Sequence, residues 1–121
     1  MKIYISSKAS GIKDYNRPAF HKRQKLLESL GHDVHNPMAT EHEPKDATCW
    51  CDFLSNDMYD VAGCDVIDMW GRWLTSQGAW IELLTAHRHR VGIHIEQWWL
   101  RWIPLMMNLM FTARDNGEIV E

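Results

Sequence analysis

Cysteine is scarce in this chain: the three present, Cys49, Cys51 and Cys64, are an odd number, and no signal-like apolar stretch follows Met1-Lys2. A disulfide-stapled secreted fold is disfavoured, and the expectation is a protein of the reducing cytoplasm. Long apolar runs are lacking too. The most apolar segment, Trp98 to Phe111, is broken by Arg101, Pro104 and Asn108, and it is shorter than the roughly 20 residues a bilayer span requires. No membrane partner is expected. Excess charge of one sign is also missing, with 13 Lys and Arg against 16 Asp and Glu for a net charge of -3. The basic residues form no dense patch that would neutralise the phosphates of a duplex, which argues against polymeric nucleic acid as a partner. Cys49-x-Cys51 is tighter than the gap of about two to four residues in a structural zinc knuckle, and no second pair completes a ligand set. Neither a metal nor a cofactor is expected.

What remains is a 121-residue chain with 45% hydrophobic residues, enough for one domain with a core. Lys2 to Ser6 reads as a strand running into the polar stretch Ser7 to Gly11. Asn16 then stands as a cap for a helix with Pro18 in its first turn, whose Ala19, Phe20, Leu26, Leu27 and Leu30 recur at helical spacing before Gly31. His32 to His35 is a short strand, and Met38 to Ala47 an exposed loop. A second helix is expected over Asp46 to Ala62 with Phe53, Leu54, Met58, Val61 and Ala62 on its apolar side, then a strand over Asp65 to Trp70. Ser76 caps a third helix carrying Ala79, Leu83 and Ala86 on one stripe, and Val91 to Ile95 is a fourth strand. The alternation predicts a three-layer α/β fold: a small parallel sheet of four to five strands flanked by helices, Rossmann- or flavodoxin-like, with functional loops at the strand C-termini. Residues 1 to 96 form the α/β domain; the apolar tail, residues 97 to 121, belongs to that domain or to an oligomer interface, and is helical beyond Pro104.

Glu82 is the most informative residue. Helical spacing sets it beside Ala79, Leu83 and Ala86 on the face that packs on the sheet, where an unpaired carboxylate is expensive. It is either bound, to Tyr4 or a backbone amide, or functional. Asp57, four residues after Phe53 and four before Val61, repeats the intrusion, although Asp52 and Asp60 make an ordinary acidic helix face its competitor. Two such carboxylates on neighbouring helices point to acid, base or nucleophile work on a sugar-like centre. Ser76-Gln77-Gly78-Ala79 combines a hydroxyl and a bare backbone at a helix N-terminus, which suits either an approaching anion or simple capping. Trp70 and Trp73 flank a strand-end loop and offer faces for a nucleobase, whereas Trp98, Trp99 and Trp102 read as interface residues.

Met1-Lys2-Ile3-Tyr4-Ile5-Ser6, Gly11, Asp14 to Phe20, Leu30-Gly31-His32 and Asn36-Pro37, followed by Asp57, Cys64 to Ile67 and Ser76-x-Gly78-Ala79-x-x-Glu82-x-x-x-Ala86, resemble the small nucleoside 2-deoxyribosyltransferase-like domains of phages and bacteria. The resemblance covers about residues 1 to 95. It implies nucleotide metabolism: cleavage or transfer of an N-glycosidic bond in a 2′-deoxynucleoside or its 5′-monophosphate. In that pattern Glu82 attacks the anomeric carbon, Asp57 assists proton transfer or holds the sugar and base, and Tyr4 orients Glu82. Substrate contacts are implied for Ser6, Ser7, Lys8, Trp70, Trp73, Ser76 and Gly78, and for Asn108 in a tail lent to a neighbouring subunit. Ser7 departs from the family's usual glycine. The alternative is a non-catalytic module that holds a nucleotide or signalling ligand in the same pocket. The partners expected are thus a small nucleoside or nucleotide and further copies of the chain, as a dimer or dimer of dimers.

Overall fold

Strand β1, Lys2–Ser6, alternates Ile3 and Ile5 with Tyr4 and Ser6, and all four are buried. A strand covered on both faces is the centre of a parallel sheet rather than its edge. In the structure, a computed structural model that describes residues 1–39 and 50–112 apart from the side chains of 50–54 and 112, β1 lies between β2 (Asp33–His35) and β3 (Val66–Met69). Strand β4 (Gly92–Ile95) pairs with β3, and every pairing is parallel, in the order β2-β1-β3-β4. The crossovers are helices α1 (Arg17–Ser29), α2 (Trp50–Ala62) and α3 (Gln77–Arg88). This is the three-layer α/β architecture of the Rossmann and flavodoxin-like type. The chain steps outward from β1 to β2 and then returns to β3 on the other side, so the strand order reverses between β1 and β3. Ligands of open parallel sheets bind in the crevice at the carboxyl ends of such a pair.

The period of two along the strands sorts the core into two layers. Ile3, Ile5 and Trp70 pack with Phe20 of α1 on one face. Tyr4, Ile67, Met69 and Ile95 pack with Val61 of α2 and with Ala79, Leu83 and Ala86 of α3 on the other. Ser76 caps α3 as its sequence position predicts, accepting from the Ala79 amide at 3.2 Å. Asn16 does not cap with its side chain. Its backbone is left-handed at φ 61, and its side-chain amide instead donates to the Lys8 carbonyl at 3.0 Å, tying down the loop after β1. In α1 the sheet-facing stripe runs through Phe20, Arg23 and Leu27, leaving Leu26 and Leu30 exposed on the next stripe. Met58 of α2 is likewise exposed, one turn short of buried Val61.

Arg23 takes a core-facing place because β3 buries a carboxylate beneath it. Arg23 Nε and Nη2 donate to Asp68 at 2.8 and 3.0 Å, and Nη1 donates to Glu96 at 2.8 Å. His94 Nδ1 lies 2.9 Å from the same Asp68 carboxylate. The planar guanidinium fork satisfies both carboxylate oxygens, which is what allows Asp68 to be covered.

Beyond β4 a turn at Trp98–Leu100 leads into the short helix α4 (Ile103–Met107) and a π-helical turn, Asn108–Thr112. Ile103 and Met107, one turn apart, reach the core, whereas Trp98, Trp99, Trp102, Leu105, Met106, Leu109 and Met110 face outward. Among the described residues no helix is long and apolar enough to cross a membrane. The loop after Ala39, the expected start of the second helix at Asp46, Cys49, and the side chains of Cys51, Asp52, Phe53 and Leu54 lie outside the described residues.

Candidate active site

Parity along β1 aims Tyr4 and Ser6 at α3, and the Ser76 cap sets the phase of α3 so that Glu82 points back at them. The Glu82 carboxylate is buried and receives a hydroxyl on each oxygen: Ser6 Oγ donates to Oε1 at 2.9 Å and the Tyr4 phenol donates to Oε2. Burial pushes the Glu82 carboxyl up to about 8, reinforced by the Asp57 charge and opposed by the hydrogen bonds from Tyr4 and Ser6. Asp57, half-buried on α2, is raised to about 7 by burial and by the charge of Asp60. Burial first, then the charges of Glu82 and Asp57, hold the Tyr4 phenol well above its ordinary range, so it stays a donor. Glu82 and Asp57 are therefore a coupled pair that does not carry two full charges near neutral pH.

Ser6 is the last residue of β1, so the carboxylate lies at the C-terminal end of the strand, beside the order reversal. The neighbouring Ser7 is buried, and its hydroxyl has no hydrogen-bond partner among the described residues. Gly71, which follows β3, turns back at φ +60, and a Cβ there would stand 3.0 Å from Ser7 Oγ. Glycine is required at that position by both the backbone and the space. At Gly78, by contrast, a Cβ would meet among the described residues only Ser76 Oγ at 3.9 Å, an ordinary contact, so they leave the first turn of α3 open. Lys8 is half-buried in the loop after β1.

Two expected substrate contacts lie in the core. Trp73 is fully buried, tilted against Trp80 at 5.1 Å with its Nε1 donating to Gln97 at 3.0 Å. Trp70 is buried edge-on to Phe20 at 5.0 Å and lies under the Arg23 guanidinium. Both rings are consumed by the core, where large aromatic area gains most, and neither presents a free face to a nucleobase. Within its own chain Asn108 does not join the carboxylates either; its Oδ1 lies 2.9 Å from His87 Nε2, at the far end of α3.

One constituent was not anticipated. His35 pairs in register with Tyr4 across β1 and β2, and its ring stacks on the phenol at 5.3 Å and 13°. Its Nε2 lies 3.3 Å from Asp60 Oδ2. The available signal was the period-two alternation of the two strands, which puts His35 and Tyr4 on one face once the strands are known to be neighbours.

The carboxylate pair sets titratable groups at the switch point of an open parallel sheet, where α/β domains of this architecture bind small molecules. The chain belongs to the DUF4406 family, a domain of unknown function, whose family profile matches residues 1–95, from Met1 to the last residue of β4. No curated protein matches it.

Proposed function

We propose that this chain cleaves or transfers the N-glycosidic bond of a 2′-deoxynucleoside or its 5′-monophosphate, as the resemblance to nucleoside 2-deoxyribosyltransferase-like domains implies. The observation that carries this reading is the buried Glu82 carboxylate, gripped on both oxygens by Tyr4 and Ser6 and coupled to a second, protonatable carboxylate, Asp57. In the first step a Glu82 oxygen bonds to the anomeric carbon as the carbon-nitrogen bond breaks, and the departing base takes the electron pair and a proton from Asp57. In the second, water or another base attacks the same carbon, Asp57 accepts its proton, and the glycosyl ester releases Glu82 as carboxylate. Tyr4 and Ser6 fix the carboxylate's orientation throughout, and the open first turn of α3 at Ser76 and Gly78 is where a 5′-phosphate would meet backbone amides.

A second reading has its own support. Burial favours the protonated form of Glu82, which would serve as a hydrogen-bond donor to a bound nucleotide in a module without turnover. Incubating the protein with a panel of deoxynucleosides and 5′-monophosphates across pH 6 to 9, with chromatography for free base and calorimetry for binding, separates the two. Free base supports the enzyme; saturable binding with no base released on any member establishes the module.

A further inference from the structure

We propose that His35 is a positioning residue of this site: its ring holds the Tyr4 phenol in plane from the side of β2, and its Nε2 offsets the charge of Asp60 beside Asp57. The inference rests on the reading of Tyr4, Asp57 and Glu82 as the reacting cluster, but its geometry is separate. Tyr4 is fully buried, whereas the His35 side chain keeps about a third of its surface, so His35 is the part of the stack that solvent reaches. A nearly parallel ring at 5.3 Å blocks the phenol from swinging sideways toward β2, a motion that would carry its hydroxyl off Glu82.

The second half follows from which charges face Asp57. On its own helix it meets Asp60; from β1 it meets Tyr4, from α3 Glu82, and from β2 His35 acts on it through Asp60. Asp60 drives Asp57 toward its protonated form. A ring nitrogen 3.3 Å from Asp60 Oδ2 draws on that carboxylate's charge, so His35 tempers how strongly Asp60 acts on Asp57. The sequence hid this because His35 and Asp60 are 25 residues apart and neither belongs to the resemblance.

The test uses His35→Phe, which keeps a ring over Tyr4 but has no nitrogen for Asp60, and His35→Leu, which keeps neither. The Asp57 carboxyl is followed by ¹³C NMR in protein labelled at aspartate, its signal assigned by its loss in Asp57→Asn. Its titration midpoint should rise by roughly half a unit in both His35 variants and fall in Asp60→Asn. In turnover, His35→Leu should lose roughly tenfold in kcat with little change in KM, and His35→Phe should recover most of it. A midpoint that moves in neither His35 variant overturns the proposal whatever the rates do. Because the midpoint needs no substrate, a wild-type protein that releases no base refutes the glycosidic reading while the NMR titration still decides the role of His35.

Discussion

The Tyr4 hydroxyl donates to Glu82, joining the middle of β1 to the sheet-facing stripe of α3 inside a covered layer. Glu82→Gln keeps an acceptor for that phenol and nearly the same volume but cannot form a glycosyl ester. Base release should disappear while the fold persists, as read by chromatography and circular dichroism. Turnover near the wild-type rate in this variant would sink the covalent mechanism.

The same substitution has a consequence for stability. The Glu82 carboxyl titrates at 4.5 when freely solvated in the unfolded chain and at about 8 when folded, so between those values the folded state holds a proton that the unfolded chain has lost. Stability must then fall as pH rises from about 4.5 to about 8 and level off above it, a contribution on the order of a few kcal/mol. Asp57, raised from 3.8 to about 7, adds in the same direction. In Glu82→Gln the slope should flatten, which urea denaturation at pH 5, 6.5 and 8 would measure.

Catalysis asks for one particular distribution of the shared proton. The nucleophile must be ionised and the acid protonated, and burial raises both carboxyls, Asp57 to about 7 and Glu82 to about 8. The productive form is the singly protonated pair with the proton on Asp57, and base release should follow a bell in pH with its maximum between about 7 and 8. Asp57→Asn should lose the alkaline limb of that bell and roughly 10² to 10⁴ in rate. A wild-type profile in this variant would return Asp57 to an ordinary helix face.

The order of elements was legible because the apolar residues of β1, β3 and the sheet-facing stripe of α3 recur at one period each, and Glu82 stood out as a carboxylate in such a stripe. Tyr4, Ser6 and Ser76 fall where strand parity and capping chemistry put them. What the sequence left dark depends on neighbours distant along the chain. Asp68 and Arg23 each break an apolar pattern, and only the sheet shows that they break it for one another across 45 residues. Trp70 and Trp73 show the converse: both follow a strand, and no local pattern reports which core layer each is buried in.

That buried pair carries its own prediction. Removing Arg23 strands the Asp68 carboxylate beneath α1 with, among the described residues, only the His94 ring for a partner, so Arg23→Met should destabilise the protein by roughly 3–5 kcal/mol. The double variant Arg23→Met, Asp68→Leu should recover much of that loss, because replacing both partners removes the orphaned charge. Denaturant melts of the two variants decide it; a single variant as stable as wild type would mean that water supports Asp68 instead.

Assembly is the last expectation, and the contacts of the tail change how it should be tested. Trp98, Trp99, Trp102, Leu105, Met106, Leu109 and Met110 lie in one short stretch and all face outward, more large apolar surface than an isolated chain normally leaves in water. Aromatic and methionine side chains concentrate at interface centres, and small oligomers are most often two-fold symmetric, so a homodimer or a dimer of dimers is expected. Deleting the tail would not isolate this effect. Gln97 accepts from Trp73 and donates to the Gly71 carbonyl, Arg101 donates to Ile95, and Ile103 and Met107 fill the core, so truncation at residue 97 would damage the fold itself. Substituting only outward residues, as in Trp99→Ser with Leu105→Glu, leaves those contacts in place. Light scattering should give a multiple of 14.2 kDa for the wild type and the monomer mass for the double variant. A wild-type protein that stays at 14.2 kDa across a wide concentration range would refute the oligomer and leave Asn108, held by His87 in its own chain, no route to a partner's site.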